Sequence, residues 1–301
     1  LPTKTPMLTN TPVQAAPSPS NTAAAAAAPV KPPPAWWGHV VFHEDGTRYH
    51  RIGPFEIWLT RRSGEWHVAH RCGENAIDDS VIVDVDISAA GGPAVPTSGA
   101  TELQFALPIE ANAVRFWPHL ADRAVVFSPL RTLVLPPGGR VTLYATSPLW
   151  IEITTAASSR RLLELPLWRP SDTWFGDPTD GELCYSSRLL AVRDASELLR
   201  LQHRAVTPLE IANDHHDPLV IERISVPVRS LSLFRDSVGQ LWTEPVRMVH
   251  ESGAALATVT RSGAAPREAF GAERVASPRD ALGLRFNARV FFGLFGDEGN
   301  Q

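Results

Sequence analysis

The sequence predicts an all-β, mainly antiparallel protein that follows a disordered N-terminal leader. Short segments with apolar residues at every second position recur along the chain, and this is the periodicity of half-buried strands. The chain also contains 27 prolines and 20 glycines, which interrupt helices and central strands but suit turns and strand edges. Together these observations favour one or two β-sandwich or jelly-roll-like domains.

The predicted leader covers residues 1–35. It consists mainly of Pro, Ala, Thr, Ser and Asn, with an alanine run at 23–28 and three prolines at 32–34. A segment with so few large apolar side chains cannot offset the entropy that it loses on ordering. We therefore expect a disordered tether, and we expect the folded part to begin at Trp36.

The clearest predicted strand covers residues 81–87. Its apolar side chains alternate with acids, so we expect the three valines and Ile87 to share one buried face. Residues 55–59 alternate likewise, and the turn-forming residues 61–64 lead into a second strand at 65–71, which predicts a hairpin. Further strands are expected at 103–107, 125–127, 141–144 and 150–154.

The second half of the chain repeats this pattern. Residues 283–295 are expected to form a central strand, because an edge strand would rarely expose so much apolar surface. Residues 194–197 have the spacing of a helix capping box, which leaves a short helix and a strand as equal alternatives. The other expected strands are at 183–185, 209–212, 219–226, 231–234, 246–249 and 256–260.

The domain organisation depends on a weak internal similarity. Residues 129–152 and 218–244 share a succession of apolar pairs and prolines that ends in Leu-Trp-x-Glu. Duplication would explain it, and chance likeness between proline-bounded strands is the alternative. The expected division is a leader at 1–35, one β-sandwich domain at 36–165 and a second at 166–301.

Composition excludes several classes of function. The net charge of −4 argues against nucleic acid as a partner, because phosphate binding needs an excess of Lys and Arg. No run approaches the roughly 20 apolar residues of a membrane-spanning helix. The two cysteines, Cys72 and Cys184, are expected to be free thiols, which favours a cytoplasmic location. A secretory signal that has been removed is the alternative.

The loop at 213–218 contains the best metal-site candidate. Its histidines and carboxylates are suitable ligand types, but adjacent side chains diverge, and Asn and Asp also favour turns. We therefore favour a turn between the strands at 209–212 and 219–226. The candidate ligands are Asp214, His215, His216, Asp217 and the more distant His203.

Trp58 is the candidate for a binding surface. The chain has nine tryptophans, most of which are expected to fill the core. Trp58 lies opposite the apolar face of the strand at 55–59. If that opposite face is exposed to solvent, Trp58 marks a contact surface.

Four short motifs carry a resemblance to a known family. They are Leu-Pro-Leu-Trp at 165–168, Trp-Phe-Gly-Asp-Pro at 174–178, Gly-Glu-Leu-Cys-Tyr at 181–185 and Pro-Leu-Glu-Ile-Ala-Asn at 208–213. From about residue 37 to 295 the chain resembles an uncharacterised prokaryotic family known mainly from archaea, domain-of-unknown-function family four-three-two. The resemblance implies no assigned activity, and therefore no catalytic residues.

The sequence favours a non-enzymatic protein that binds another protein, or itself, through exposed aromatic residues and strand edges. The serines at 186 and 187 lack the Gly-x-Ser-x-Gly elbow of a hydrolase, and no catalytic motif is recognisable elsewhere. No cofactor is expected. The first alternative is an enzyme of the cupin or jelly-roll type that depends on a divalent transition metal held by the histidines. The second is a carbohydrate-binding module that uses its tryptophans.

Overall fold

The computed structural model describes residues 35–87, 91–106, 112–156, 159–251, 256–280, 283–289 and 291–292. The leader predicted at 1–35 lies outside these residues, apart from Ala35. The described residues are almost entirely strand and turn, with short 3-10 segments at Ala195–Glu197, Val228–Ser230 and Arg267–Ala269. The predicted all-β class is therefore confirmed.

Strands occur from the start of the described residues to their end, and each predicted strand overlaps one of them. The first twelve are β1 (Gly38–Val41), β2 (Thr47–Ile52), β3 (Phe55–Arg62), β4 (Glu65–Cys72), β5 (Val81–Asp86), β6 (Thr101–Ala106), β7 (Ala113–Leu120), β8 (Val125–Phe127), β9 (Leu133–Leu135), β10 (Arg140–Thr155), β11 (Arg161–Pro166) and β12 (Ser171–Phe175). The others are β13 (Glu182–Ser186), β14 (Arg204–Asn213), β15 (Leu219–Ile221), β16 (Arg223–Val226), β17 (Leu233–Arg235), β18 (Leu241–Thr243), β19 (Val246–His250), β20 (Leu256–Arg261), β21 (Glu273–Ala276), β22 (Arg285–Arg289) and β23 (Phe291–Phe292).

Four sheets are formed by these strands. The largest has the order β1-β7-β10-β14-β18-β17-β21, with β11 paired to β10, β19 paired to β14, and β20 and β22 following β19. Two five-stranded sheets have the orders β5-β2-β3-β4-β6 and β12-β13-β8-β16-β23, and β9 pairs with β15. The predicted hairpin is present as β3 and β4, which are joined by Ser63 and Gly64, the latter at φ 73°.

The long strand β10 joins the predicted strands at 141–144 and 150–154. Up to Pro148 it pairs with β14, and from Leu149 onwards it pairs with β7. Proline has no N–H group, so it is tolerated at the point where the strand changes partners. The buried Arg204 guanidinium donates to the backbone oxygen of Thr146 at this point, and Leu149 N–H donates to the His203 carbonyl at 3.1 Å.

The prediction that the apolar residues of 81–87 share one face is wrong. Val81 and Val83 pack against the main core, whereas Val85 and Ile87 pack on the other side of the sheet, beside Trp58. The register between β2 and β5 shifts here, and Asp84 adopts φ 54°. This bulge adds a residue and thereby reverses the side on which later side chains lie.

Three further predictions differ from the structure. Residues 219–226 form two strands in different sheets, because β15 pairs with β9 whereas β16 pairs with β8. Residues 283–295 are likewise divided between β22 and β23. Among the described residues β22 pairs with β20 alone, so it is not the central strand that the sequence predicts. Residues 290 and 293–295 lie outside the described part. The capping-box residue Asp194 caps a 3-10 segment, accepting the Ser196 N–H at 2.8 Å.

The main core draws on both of the predicted domains. Val114, Phe116 and Ile151 from the first half pack in the same apolar cluster as Ile211 and Val246 from the second. Burial of these side chains is the main source of stability for the strands that carry them. The division at 165 and 166 stays a prediction.

Glu244 and Arg261 form an ion pair inside the protein. Their side chains are 0% and 5% exposed, and Nη1 of Arg261 lies 3.5 Å from Oε1 of Glu244. The carboxylate also accepts the N–H of Ser232 at 2.8 Å and that of Gly263 at 2.5 Å, and Arg261 donates to the Ser230 carbonyl. The pair therefore ties two loops, the connection between β16 and β17 and the segment after β20, to the ends of β18 and β20.

Two histidines are buried as neutral groups. His203 is 0% exposed and packs against Gly53, where a Cβ atom would lie 2.5 Å from Nδ1 of the imidazole. Burial, with Arg204 beside it, lowers the pKa of His203 to about 4. His50 accepts the Asp84 N–H at 3.1 Å, and burial lowers its pKa to about 3. Both side chains resist protonation in the folded state.

We expect Glu244→Gln to lower the free energy of unfolding by about 3–5 kcal/mol, the usual effect of breaking a buried ion pair. The amide keeps the size of the side chain, but its NH2 group would face a backbone N–H and would leave Arg261 without a buried carboxylate. Urea denaturation measures the loss. The exposed Glu44→Gln is the control, and we expect it to change stability by no more than about 0.5 kcal/mol. Equal effects of both variants would contradict a stabilising role for the pair.

We expect stability to fall as the pH drops from about 6.5 towards about 4. In this window the unfolded chain binds protons at His50 and His203 that the folded chain does not, so acid favours unfolding. Each histidine accounts for a loss on the order of 3 kcal/mol. Unfolding free energies measured across the window should show a shallower slope for His203→Asn than for the wild type. Equal slopes for His203→Asn and the wild type would refute the assignment.

Candidate functional site

The loop at 213–218 is the turn that the sequence favours. β14 ends at Asn213, whose buried amide donates to the carbonyls of Leu135 at 2.9 Å and Asp217 at 2.8 Å. Its Oδ1 accepts the His215 N–H at 3.2 Å. One buried side chain therefore shapes the whole connection between β14 and β15.

Three of the five candidate metal ligands stand together in this loop. Potential ligand atoms of His215, His216 and Asp217 lie within 4.8 Å of one another, and the two imidazole rings are 3.9 Å apart. Nδ1 of His215 accepts the Asp217 N–H at 3.1 Å, so the neutral imidazole carries its proton on Nε2, and the ring can bind an ion only by giving up this hydrogen bond. The side chains of His216 and Asp217 are 81% and 69% exposed. These residues offer suitable ligands for a transition metal.

The structure does not bring the other two candidates into this group. The carboxylate of Asp214 lies 3.4 Å from Nη2 of Arg140, and its N–H donates to the His250 carbonyl. His203 is buried against Gly53. The metal site thus stays a prediction, and its best-placed residues are the three on the loop.

The sequence predicts that Trp58 marks a contact surface if its face of the sheet is exposed to solvent, and the structure does not show that exposure. It is 1% exposed and packs with Tyr49, at a ring separation of 5.1 Å, and with Ala69. Its indole N–H donates to the Pro93 carbonyl at 2.8 Å, which places the segment after β5 over this face. The face opposite the main core is therefore covered at Trp58 rather than exposed to solvent.

Both cysteines are free thiols, as the sequence predicts. Cys72 is an exposed residue whose sulfur lies 3.6 Å from the Leu167 carbonyl, and the partial burial of this atom raises the pKa of the thiol. Cys184 is buried, and burial, with Glu182 nearby, raises its pKa to about 12. Neither residue is therefore an activated nucleophile at neutral pH.

An exposed apolar pair stands on the hairpin formed by β12 and β13. Trp174 and Leu183 are directly opposite each other in the register, and each is 47% exposed. In the described part of the chain, β12 is the terminal strand of its sheet. A terminal strand presents backbone N–H and C=O groups to which a further strand can bond. We name this surface, formed by Trp174 on the edge strand β12 and Leu183 on the neighbouring strand β13, the hairpin surface.

The Trp174 indole is held in one position. Its N–H donates to the Asp177 carbonyl at 2.8 Å, and the ring lies directly over Gly181. A Cβ atom at Gly181 would stand 2.4 Å from the indole nitrogen, so the ring can lie there only because residue 181 has no side chain. The tryptophan is therefore ordered before any partner arrives.

The opposite face of the hairpin is anchored in the protein. Phe175 and Cys184 are buried in a small apolar cluster with Ala124 and Val126. Arg223 reaches across from β16 and donates to Thr173 Oγ1 at 3.0 Å. The hairpin therefore has one fixed face and one half-exposed face.

The charge of the hairpin is acidic. Residues 171–186 contain four carboxylates and no lysine or arginine. Asp172 is bound by Arg169 at 3.1 Å and by Arg123 at 3.2 Å. The other three carboxylates, Asp177, Asp180 and Glu182, lie at and beside the tip. A surface that combines apolar and acidic groups suits a partner segment that combines apolar and basic ones.

Sequence reasoning used these residues for the family resemblance and overlooked their exposure. The signal available was a tryptophan and a leucine at matching distances from the glycine-bounded segment 176–181, which reads as a hairpin. No periodicity in so short a segment distinguishes an exposed pair from a buried one.

The described part of the chain contains no helix with the length and apolar character that a bilayer crossing requires. No curated protein and no solved structure shows significant similarity to the chain. A family model does match, and it spans residues 36–295, which is most of the chain. The motifs at 165–168, 174–178, 181–185 and 208–213 all fall within this match. The chain therefore belongs to the family described as protein of unknown function, DUF432.

Proposed function

We propose that this protein is a non-enzymatic recognition module that binds an extended segment of a partner protein along β12. The observation that carries the proposal is the preformed pair of Trp174 and Leu183 on a strand edge. Addition of a strand to an open edge uses backbone hydrogen bonds for affinity and side-chain pockets for specificity.

The energetic contribution of the tryptophan is sufficient for an interface anchor. Covering the exposed half of a tryptophan removes roughly 100 Å² from water, which contributes about 2.5 kcal/mol. Because the indole already lies fixed over Gly181, little side-chain entropy is lost when a partner covers it. Ordered, central aromatic residues of this kind dominate many protein interfaces.

The chemistry of the partner segment follows from the composition of the hairpin. Residues 171–186 contain four carboxylates and no basic side chain, which favours basic residues in the partner, and the apolar pair favours an aliphatic or aromatic side chain between them. We propose a partner segment with alternating apolar and basic residues, supplied by another protein or by a second copy of the chain.

The metal-dependent enzyme is the weaker alternative. Its ligands would be three consecutive residues on a loop, of which His216 and Asp217 are mostly exposed. Catalytic metals usually lie in enclosed sites that exclude water around the open coordination position. The loop offers ligand chemistry without such an enclosure.

We also propose that the protein acts in the cytoplasm. The two free thiols, one of them exposed at Cys72, suit a reducing compartment. A partner would then be sought among cytoplasmic proteins.

Photo-crosslinking tests the proposed surface. We expect Leu183→p-benzoylphenylalanine, irradiated in an extract of the source organism, to give an adduct with a specific protein or with a second copy of the chain. In the double variant that also carries Trp174→Ser, the yield of this adduct should fall at least about fivefold, because the aromatic side chain that anchors the partner is lost. The matched control is Phe270→p-benzoylphenylalanine, since Phe270 is 97% exposed on another loop. No adduct at position 183, or the same adducts at both positions, would refute the proposal.

A further inference from the structure

A groove of about 320 Å³ lies between β7, β10 and β21, and it is separate from the hairpin surface. Its walls are formed by Trp117, His119 and Glu152 on one side, and by Arg274 and residues 275–277 on the other. The pairing of β1 with β7 covers residues 113–116, so β7 continues past the end of β1 into this groove. The volume is at the lower limit of ligand pockets, which suits a small ligand.

The carboxylate of Glu152 is the group in this groove that has unused hydrogen-bond acceptors. Its side chain is 20% exposed, and the nearest cationic atoms are His119 Nε2 at 3.7 Å and an Arg161 nitrogen at 3.8 Å, both beyond hydrogen-bond distance. Within the described residues the carboxylate accepts no hydrogen bond. The neighbouring Glu164, by contrast, is bound by Arg161 at 3.3 Å and by Arg279. Glu152 therefore has acceptor capacity on a side chain that is itself mostly buried.

His119 does not neutralise this carboxylate. Burial lowers the pKa of His119, and the nearby Arg279 lowers it further, although Glu152 and Glu164 oppose the change. The imidazole is therefore mainly neutral at physiological pH. A neutral imidazole can hydrogen-bond a ligand but does not replace a cation at Glu152.

Trp117 supplies a fixed aromatic wall. The Arg115 guanidinium lies 3.6 Å from the centre of its ring, and its N–H donates to Thr154 Oγ1 at 3.3 Å. Arg115 packs on one face of the indole, and Trp117 is one of the residues that line the groove. An aromatic wall of this kind packs against the apolar C–H face of a flat, polar ligand.

The groove carries charges of both signs. Glu152 and Arg274 line it, and Arg161 lies 3.8 Å from Glu152, so the arginines repel a cation and the carboxylate repels an anion. A neutral ligand with several hydroxyl groups avoids both penalties, because it donates to Glu152 and accepts from the exposed Arg274. Its C–H face would pack on Trp117.

We propose that the groove binds one ring of a neutral saccharide. The size of the groove, the unused acceptor at Glu152 and the aromatic wall at Trp117 all fit this chemical class. The proposal goes beyond partner binding at the hairpin surface and does not depend on it. The carbohydrate-binding alternative drawn from the tryptophan content thereby gains a specific location.

Ligand-observed saturation-transfer NMR with the full chain tests the proposal, using glucose, galactose and N-acetylglucosamine as probes. We expect transfer to at least one sugar at millimolar concentration. Glu152→Gln should weaken its binding at least about tenfold, because the amide accepts fewer hydrogen bonds and loses the charge that strengthens them. Trp117→Ala should abolish saturation transfer to the C–H protons on the face of the sugar that packs against the indole. If Trp117→Ala does not fold, Arg274→Ala replaces it, since that side chain is exposed.

Two controls separate this site from others. Trp174→Ser removes the exposed tryptophan of the hairpin surface, and it should leave sugar binding unchanged. Choline chloride and sodium acetate test charge preference, and neither should compete with the bound sugar. Absence of transfer to all three sugars, binding that survives Glu152→Gln undiminished, or displacement by choline or acetate would each overturn the proposal. Loss of binding in Trp174→Ser would overturn it too, by moving the site to the hairpin.

Discussion

The exchange of partners in the middle of β10 is the constraint on which the rest of the large sheet depends. The strand bonds to β14 as far as Pro148 and to β7 from Leu149, so it belongs to both halves of the sheet. The exchange leaves backbone groups that need new partners inside the core, where an unsatisfied group is costly. Arg204 supplies donors to Thr146, and the His203 carbonyl accepts from Leu149. Burial lowers the pKa of Arg204 to about 10, yet the side chain stays charged at neutral pH.

Periodicity predicted many of the strands but missed β7, in which buried and half-buried residues alternate, and it failed where backbone geometry or remote segments intervene. It separated β10 into two strands because Pro148 looks like an interruption, and it placed residues 81–87 on one face because the bulge at Asp84 has no periodic signature. Trp58 shows the same limit for the site. Trp58 is covered by the segment that contains Pro93. The alternation of residues within β3 cannot predict a contact with so distant a segment. The loop at 213–218 was predictable because Asn213 forms its turn with local partners.

Both proposed binding surfaces arise where a sheet ends. β12 is terminal in its sheet among the described strands, and β7 extends beyond β1 beside the saccharide groove. Open edges carry a risk of uncontrolled pairing, which short strands and charged side chains reduce. β12 has only five residues, and two arginines bind Asp172 on it. The short length and these charged side chains disfavour pairing with the edge of another sheet, whereas a short complementary segment can still bind. The groove edge is instead shielded by Arg279, which donates to the Leu120 carbonyl at 2.7 Å.

The loop of the hairpin is more restricted than a simple turn requires. A connection of six residues between β12 and β13 tolerates many sequences, but here residue 181 must be glycine because the Trp174 indole occupies the space of a side chain. Glycine costs conformational entropy on folding, and the half of the indole that stays exposed adds no burial in the monomer. That half therefore contributes nothing to folding in return for the cost. The arrangement places an ordered aromatic ring at a strand edge. Such a ring stabilises a complex with a partner more than it stabilises the isolated chain.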